Sequence, residues 1–272
     1  MTGQYQTKLN SLLGQLGDGW LAPSAWLLAR GYTRSLLGYY VQRGWLQSPA
    51  RGVFLRTGSR ASWQTVVYSL QRLAALPLHV GGRLALGLQG EDHYLSMQPA
   101  AVTLYGPATL PNWVRQLDLP ETFAAWPDAR LGLSSLSSNL LDDPDRLRQA
   151  GLSELPGDRP DCPLVISLTE RAILELLLGV PQASSTAEAD AILQGLSRLR
   201  PDLMSSLLQQ CASVKVKRLF LALAKRHNHA WFAHLDLSGV DLGTGKRMLR
   251  PGERMHPTYQ ISLPRDLDEQ LG

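Results

Sequence analysis

The stretch TRSLLGYYVQRGWLQSPARGVFLRTG, residues 33–58, decides the reading of this chain. Thr33 is a residue type that caps helices, its hydroxyl accepting one of the unpaired N–H groups of the first turn. The apolar positions that follow have helical spacing. Plotted at the helical repeat, Leu36, Leu37, Tyr40 and Val41 fall on one arc. Arg34, Ser35, Gly38, Tyr39, Gln42 and Arg43 fall on the other. After Trp45 the pattern changes to two short strand-like runs around Ser48-Pro49-Ala50-Arg51-Gly52, whose turn chemistry is that of a β-hairpin. Upstream, YQTKLNSLLGQL (residues 5–16) is helical and ends at Gly17-Asp18-Gly19. APSAWLLARGY (residues 22–32) is a second short helix, with Pro23 expected in its first turn. Three short helices followed by a hairpin is the element order of a winged helix-turn-helix.

Charge supports a polyanionic partner. The chain has 272 residues and a net charge of +4, unevenly spread. Residues 1–60 hold seven Lys or Arg and one acid, and residues 215–272 hold ten bases and six acids, whereas the middle is net acidic. A compact basic segment is the electrostatic footprint of a nucleic-acid binder. The polar arc of the third helix offers two arginines, an amide, a hydroxyl and a phenol, groups that can bond base edges and phosphates. Gly38 removes bulk from that face. The candidate DNA contacts are therefore Thr33, Arg34, Ser35, Tyr39, Gln42 and Arg43 on the helix, with Arg51 and Arg56 on the hairpin.

Hydrophobic content of 44% and charged content of 18% suit a globular protein. No apolar run reaches the ~20 residues of a membrane helix, and the N-terminus lacks a secretory pattern. A cytoplasmic protein with free thiols at Cys162 and Cys211 is expected.

Beyond residue 60, SWQTVVYSLQRLAA (62–75) reads as an amphipathic helix. A short strand at 78–80 runs into Gly81-Gly82 and another helix. A nucleotidyltransferase would need a hydroxyl after the glycines and converging carboxylates for two metal ions. Arg83 holds the hydroxyl position, and Glu91 and Asp92 are adjacent, so the turn reads as structural. AAVTLYG and ARLGLSSL are strand candidates, LDDPDRLRQAG is a turn into a short helix, and RPDCP leads into the strand LVIS. Ser167 and Glu170 have capping-box spacing, followed by an apolar helix. Further helices are expected at 188–199, from Pro201, and over SVKVKRLFLALAKRH. On the last of these Lys215, Arg218, Lys225 and Arg226 gather into a basic stripe, while Lys217 lies in the apolar arc and needs a partner or an outlet. AWFAHLDLSGV, DLGTGKRML and PTYQISLP are read as terminal strands joined by turns. Gly245-Lys246 fails as a phosphate loop, because Val240 stands where a glycine is needed and Arg247 where a hydroxyl would hold Mg²⁺. Lys246 and Arg247 join the stripe as a possible second basic surface. His227 and His229 could chelate a metal but lack a third ligand, and no cofactor is expected.

The expected fold is α+β. An N-terminal winged helix-turn-helix (1–60) precedes a larger mixed α/β C-terminal domain (61–272), with a helical cluster, terminal β-strands and a possible further boundary near 150–165. On the residues alone three classes stay open: a DNA-binding regulator, a nucleotide-binding enzyme of degenerate nucleotidyltransferase type, and a protein-binding adaptor.

Five blocks, taken in order, narrow the choice. GWLQSPARGVF, HVGGRLALGLQG, SLTERAILELL, LRPDLMSSLLQQCASVKVKRLFLALA and VDLGTGKRML together resemble the AbiEi antitoxin family of type IV toxin-antitoxin systems. The resemblance implies a non-enzymatic antitoxin whose winged helix represses its own operon at inverted repeats in promoter DNA. It implies a C-terminal domain that opposes a nucleotidyltransferase-like toxin without a stable direct complex. It places the DNA contacts on Arg34, Ser35, Tyr39, Gln42, Arg43 and Arg51, and transfers no catalytic residue.

Overall fold

The computed structural model describes residues 2–91, 100–141, 143–264 and 267. It begins with helices α1 (Thr2–Gln15), α2 (Ser24–Ala29) and α3 (Arg34–Gln42). Strand β1 (Ala22–Pro23) precedes α2, and the hairpin β2 (Leu46–Ala50) and β3 (Val53–Arg56) follows α3. Leu9 and Leu12 of α1, and Leu16 just after it, meet Leu27, Leu36, Leu37 and Tyr40 in one core. Tyr40 packs edge-on to Trp45, with ring centroids 5.7 Å apart. Pro23 is not in the first turn of α2. It is extended and pairs with Val53, placing β1 outside β3 in a sheet of order β1-β3-β2. Proline lacks the N–H that an inner strand must donate, so an edge position suits it.

A five-stranded sheet follows, built from β4 (His79–Val80), β5 (Ala101–Tyr105), β6 (Thr122–Trp126), β7 (Leu152–Leu155) and β8 (Leu164–Ser167). Its order is β6-β5-β4-β8-β7. β5–β6 and β4–β8 pair parallel, and the other two pairs antiparallel. Helix α4 (Trp63–Tyr68) continues as a π-turn (Ser69–Leu73) under one face. Leu21, Ala50 and Val53 of the winged segment share a core with Trp63, Val66, Val102 and Leu104, so the hairpin's underside rests on α4 and the sheet. Helix α5 (Gly82–Leu88), the short α6 (Ser138–Leu141) and α7 (Pro144–Gln149) lead to a helical cluster of α8 (Thr169–Leu178), α9 (Thr186–Gly195), α10 (Pro201–Gln210) and α11 (Val214–His227).

Several expectations are corrected. ARLGLSSL is not a strand. A 3₁₀ turn (Asp128–Arg130) opens it, and its backbone bonds elsewhere: Leu131 accepts from Ala212 N–H at 2.7 Å, and Ser134 from Arg171 at 2.7 Å. Strands β6 and β7 replace it. Ser167 and Glu170 form no capping box. Leu168 is the cap residue of α8, Ser167 is the last residue of β8, and the Glu170 carboxylate instead takes the Arg200 side chain in two bonds of 2.7 and 2.9 Å. Helix α9 stops at Gly195, four residues before the expected end. The terminal strands shrink to the two-residue pair β9 (Arg254–Met255) and β10 (Ser262–Leu263). AWFAH is a 3₁₀ turn because Trp231 is drawn inward, its indole donating to Leu196 O at 2.7 Å. Asp92, His93 and Asp142 lie outside the described residues.

Two buried polar devices join these pieces. The Gln71 amide donates to Leu78 O and Val165 O and accepts from Val165 N–H, all at 2.9–3.0 Å, and so bridges two segments from inside the core. The Glu175 carboxylate is fully buried on α8. It accepts from Arg171 Nε (2.8 Å), Ser167 Oγ (2.7 Å) and Gly82 N–H (3.0 Å), and its Oε1 lies 2.8 Å from His79 Nε2. Arg171, equally buried, continues to Ser134 O and Ala150 O. The carboxylate leaves no room for a side chain at Gly81, and Gly82 turns with φ +56°. Burial alone would raise the Glu175 carboxyl. His79 and Arg171 beside it outweigh burial and hold it at about 2. Burial, and behind it the Arg171 charge, push the His79 imidazole below its usual value, and its Nε2, facing an acceptor-only carboxylate, carries the hydrogen of that bond.

Removing the Gln71 amide by Gln71→Leu should leave buried groups unpaired and lower the unfolding free energy by about 1–3 kcal/mol, measured by urea denaturation. His79 supplies a second prediction. Below its unfolded value of 6.5 the unfolded chain takes a proton that the native imidazole resists. Stability should therefore fall as pH drops from about 7 to 5, with the Glu175 contribution lost at still lower pH. His79→Gln keeps a donor but cannot titrate, so its unfolding midpoint should change less over that range. Parallel pH profiles for the two proteins would refute the assignment.

Candidate nucleic-acid interface

The Thr33 hydroxyl accepts from Leu36 N–H at 3.2 Å, which fixes where α3 starts and therefore which side faces out. Leu36, Leu37 and Tyr40 are buried. Thr33, Arg34, Ser35, Gly38, Tyr39, Gln42 and Arg43 are all exposed, so the structure brings the helix candidates together on one surface. Tyr39 stands out from it with 38% of its area exposed. The Arg43 guanidinium lies over the Tyr39 ring at 5.3 Å, and Trp45 supports that ring from behind at 5.8 Å. A side chain at Gly38 would meet nothing within 4 Å. Internal packing therefore gives no reason for a glycine in mid-helix, where it costs about 1 kcal/mol relative to alanine.

The hairpin places its two arginines differently. Arg51 is exposed at the tip, where the Ser48 hydroxyl lies 3.0 Å from both Ala50 O and Val53 O and tightens the turn. Arg56 sits at the base opposite Leu46, half-buried, with its guanidinium 3.5 Å from Leu16 O at the end of α1. The sequence reading overlooked Arg30. It is exposed on the turn between α2 and α3, stacked 3.7 Å over Trp26. The Trp-x-x-x-Arg spacing of WLLAR was its only signal, since residues four apart share a helix face.

The second basic surface does not form as expected. Arg218 is buried rather than displayed, and its guanidinium donates to the carbonyls of Leu242 (2.7 Å), Gly243 (3.0 Å), Gly245 and Gln260 (3.2 Å). The wheel located a face of α11 without showing that residues 242–260 fold back over it. Arg226 is mostly buried against Asp190, which also takes His227 at 2.8 Å. His229 bonds Leu193 O at 3.0 Å. Lys215 is half-buried, bonded to Leu178 O and Val180 O at 2.7 and 2.6 Å. Lys225, Lys246 and Arg247 are exposed but separated from any continuous stripe. Lys217 is 3% exposed, close enough to Cys211 to draw that thiol down against the upward push of burial.

Neither glycine turn is open to a phosphate in the manner a nucleotide enzyme requires. At Gly81-Gly82 the free N–H is held by the internal Glu175 carboxylate. At Gly243–Gly245 the turn is closed around Arg218. Among the described residues no cluster of three or more His, Cys, Asp or Glu could hold a metal ion. None of the described helices is long and apolar enough to cross a membrane.

Two family models together match most of the chain and meet near residue 98. A family model described as "Transcriptional regulator, AbiEi antitoxin N-terminal domain" matches residues 5–97. A second, described as "Transcriptional regulator, AbiEi antitoxin, Type IV TA system", matches residues 99–264. A search of curated proteins returned no match. Among solved structures, the crystal structure of the RV2827C protein from Mycobacterium tuberculosis is similar with a TM-score of 0.54 at 15% sequence identity, over 98% of this chain and 94% of that one. At that identity the likeness establishes a shared fold. With family models matched along nearly its whole length, the chain belongs to the AbiEi family of antitoxins and transcriptional regulators of type IV toxin-antitoxin systems.

Proposed function

We propose that this protein represses its own operon by seating α3 in the major groove of promoter DNA at inverted repeats. The rest of the chain opposes a nucleotidyltransferase-like toxin without forming a stable complex with it. The observation that carries the DNA reading is the outward face of α3. Two arginines, an amide, a hydroxyl and a tyrosine share one exposed helix surface around a glycine that the fold itself does not need. Among the described residues Arg34, Arg43 and Arg51 make no ion pair, so their charge is available to a polyanion. Arginine reads guanine through two hydrogen bonds and Gln reads adenine in the same way. The unit that does this is residues 1–60, with Arg51 at the wing tip on flanking phosphate. Arg56, turned toward α1, contributes at the base of the wing.

Arg34→Ala combined with Arg43→Ala should weaken operator binding by at least about tenfold while leaving the melting temperature unchanged, since both side chains are in solvent. Binding should fall with salt at a log-log slope of about −0.9 per phosphate contact, and the double variant should show a shallower slope if either arginine touches phosphate. Gel retardation of operator DNA that is normal in the double variant would remove α3 as the reading helix. Gly38→Ala tests the depth of seating. It should stabilise the fold by about 0.5–1 kcal/mol yet weaken operator binding. Unchanged binding would mean that the helix does not approach the groove closely at Gly38.

A further inference from the structure

The five-stranded sheet is unevenly covered. One face of β5 and β6 packs its alternate residues, Val102, Leu104, Phe123 and Ala125, into the core with α4. Side chains alternate along a strand, so Ala101, Thr103 and Trp126 point to the other face. There the Tyr105 hydroxyl reaches Glu175 O of α8 at 3.4 Å. A depression remains over the outer strands, floored by Ala101, Thr103 and Trp126 and walled by Leu176, Gly179, Ser184 and Glu188. A second depression lies beyond the indole, lined by Arg130, Gln182, Ser213 and Lys215. Trp126 and Gly179 line both, so the two form one groove around the tryptophan.

Its chemistry is uneven too. At one end Arg83 is paired with Glu188. At the other, Arg130 and Lys215 face the same cavity without a carboxylate among the residues lining it. The fold fixes the Lys215 ammonium and the backbone that carries Arg130. The bonds from Lys215 to Leu178 O and Val180 O pin its ammonium. Arg130 is placed by the turn after it. Gly132 has φ +69°, a side chain there would come within 2.8 Å of the Ala212 methyl, and the Leu131 carbonyl takes Ala212 N–H. That contact brings Arg130 beside the start of α11. Burial first, and then the Arg130 charge, disfavour the ammonium form of Lys215. An anion between the two would relieve that repulsion. Beside them Trp126, 37% exposed, offers a flat aromatic surface.

A polarised aromatic shelf next to two unneutralised cations fits a base and its phosphate. A duplex keeps its base faces stacked and hidden, whereas a single strand can present one. We propose that this groove binds single-stranded nucleic acid, with a base stacked on Trp126 and a backbone phosphate between Arg130 and Lys215. The site is separate from α3 and does not rest on the DNA-binding role given to that helix.

The test uses the full chain and labelled short homopolymers, oligouridylate and oligothymidylate, followed by fluorescence anisotropy at low salt. Trp126→Ala and Arg130→Glu alter exposed side chains, and an unchanged melting temperature establishes that each variant is folded. Each should weaken binding by about tenfold or more. Arg34→Ala with Arg43→Ala should leave homopolymer binding intact, which separates this site from the recognition helix. A preference for the ribose polymer would point to RNA and the reverse to a DNA single strand, and either supports the site. Wild-type binding no tighter than that of the Trp126→Ala, Arg130→Glu double variant would overturn the proposal. Equal displacement by polyglutamate would also overturn it, since a bare charge effect needs no indole.

Discussion

The larger part of the molecule depends on one buried carboxylate. Glu175 gathers the ends of β4 and β8, the start of α5 and the side chain of Arg171 onto two oxygen atoms. Arg171 passes the connection on to Ser134 and Ala150. A charge taken out of water is costly unless paired and hydrogen-bonded, and here all four neighbours are donors. The arrangement orders four stretches of the chain, at residues 79–82, 134, 150 and 167–175, around one point. It also fills the N-terminus of α5 with the protein's own anion, which is why a strand, two glycines and a helix here make a joint of the scaffold.

The winged unit is organised on a different principle. Its helices are short and its core is apolar, with Leu12, Leu37 and Tyr40 at its centre. Orientation comes from the Thr33 cap and the Trp45 edge contact, both local. The hairpin then rests on α4, so the winged unit shares a packed core with the rest of the chain. A packed scaffold lowers the ordering cost of any contact made by its exposed face.

This contrast explains what could be read from the residues. The third helix was legible because everything that defines it lies within a dozen positions: a cap, a periodicity and a turn. The burial of α8 was legible from its apolar run. The use made of its charged residues was not, since the partner of Glu175 is His79, ninety-six positions away. The basic stripe on α11 failed for the same reason. A helical wheel orders side chains around an axis but says nothing of what covers them, and residues 242–260 cover Arg218. Strand β6 was missed because TFAAW shows small residues where an alternating apolar strand would declare itself, and only its Trp126 reaches the open groove.

The turn Asp241-Leu242-Gly243-Thr244-Gly245-Lys246 carries a last consequence. In a phosphate loop, glycine-rich backbone directs its N–H groups inward and encloses an anion. Here the carbonyls of Leu242, Gly243 and Gly245 point inward instead, and what they enclose is a guanidinium belonging to the protein. The same kind of local sequence has been wrapped with reversed polarity, as a socket for a cation. Glycine spacing confers tight curvature; the sign of the charge at the centre is chosen by a residue more than twenty positions upstream.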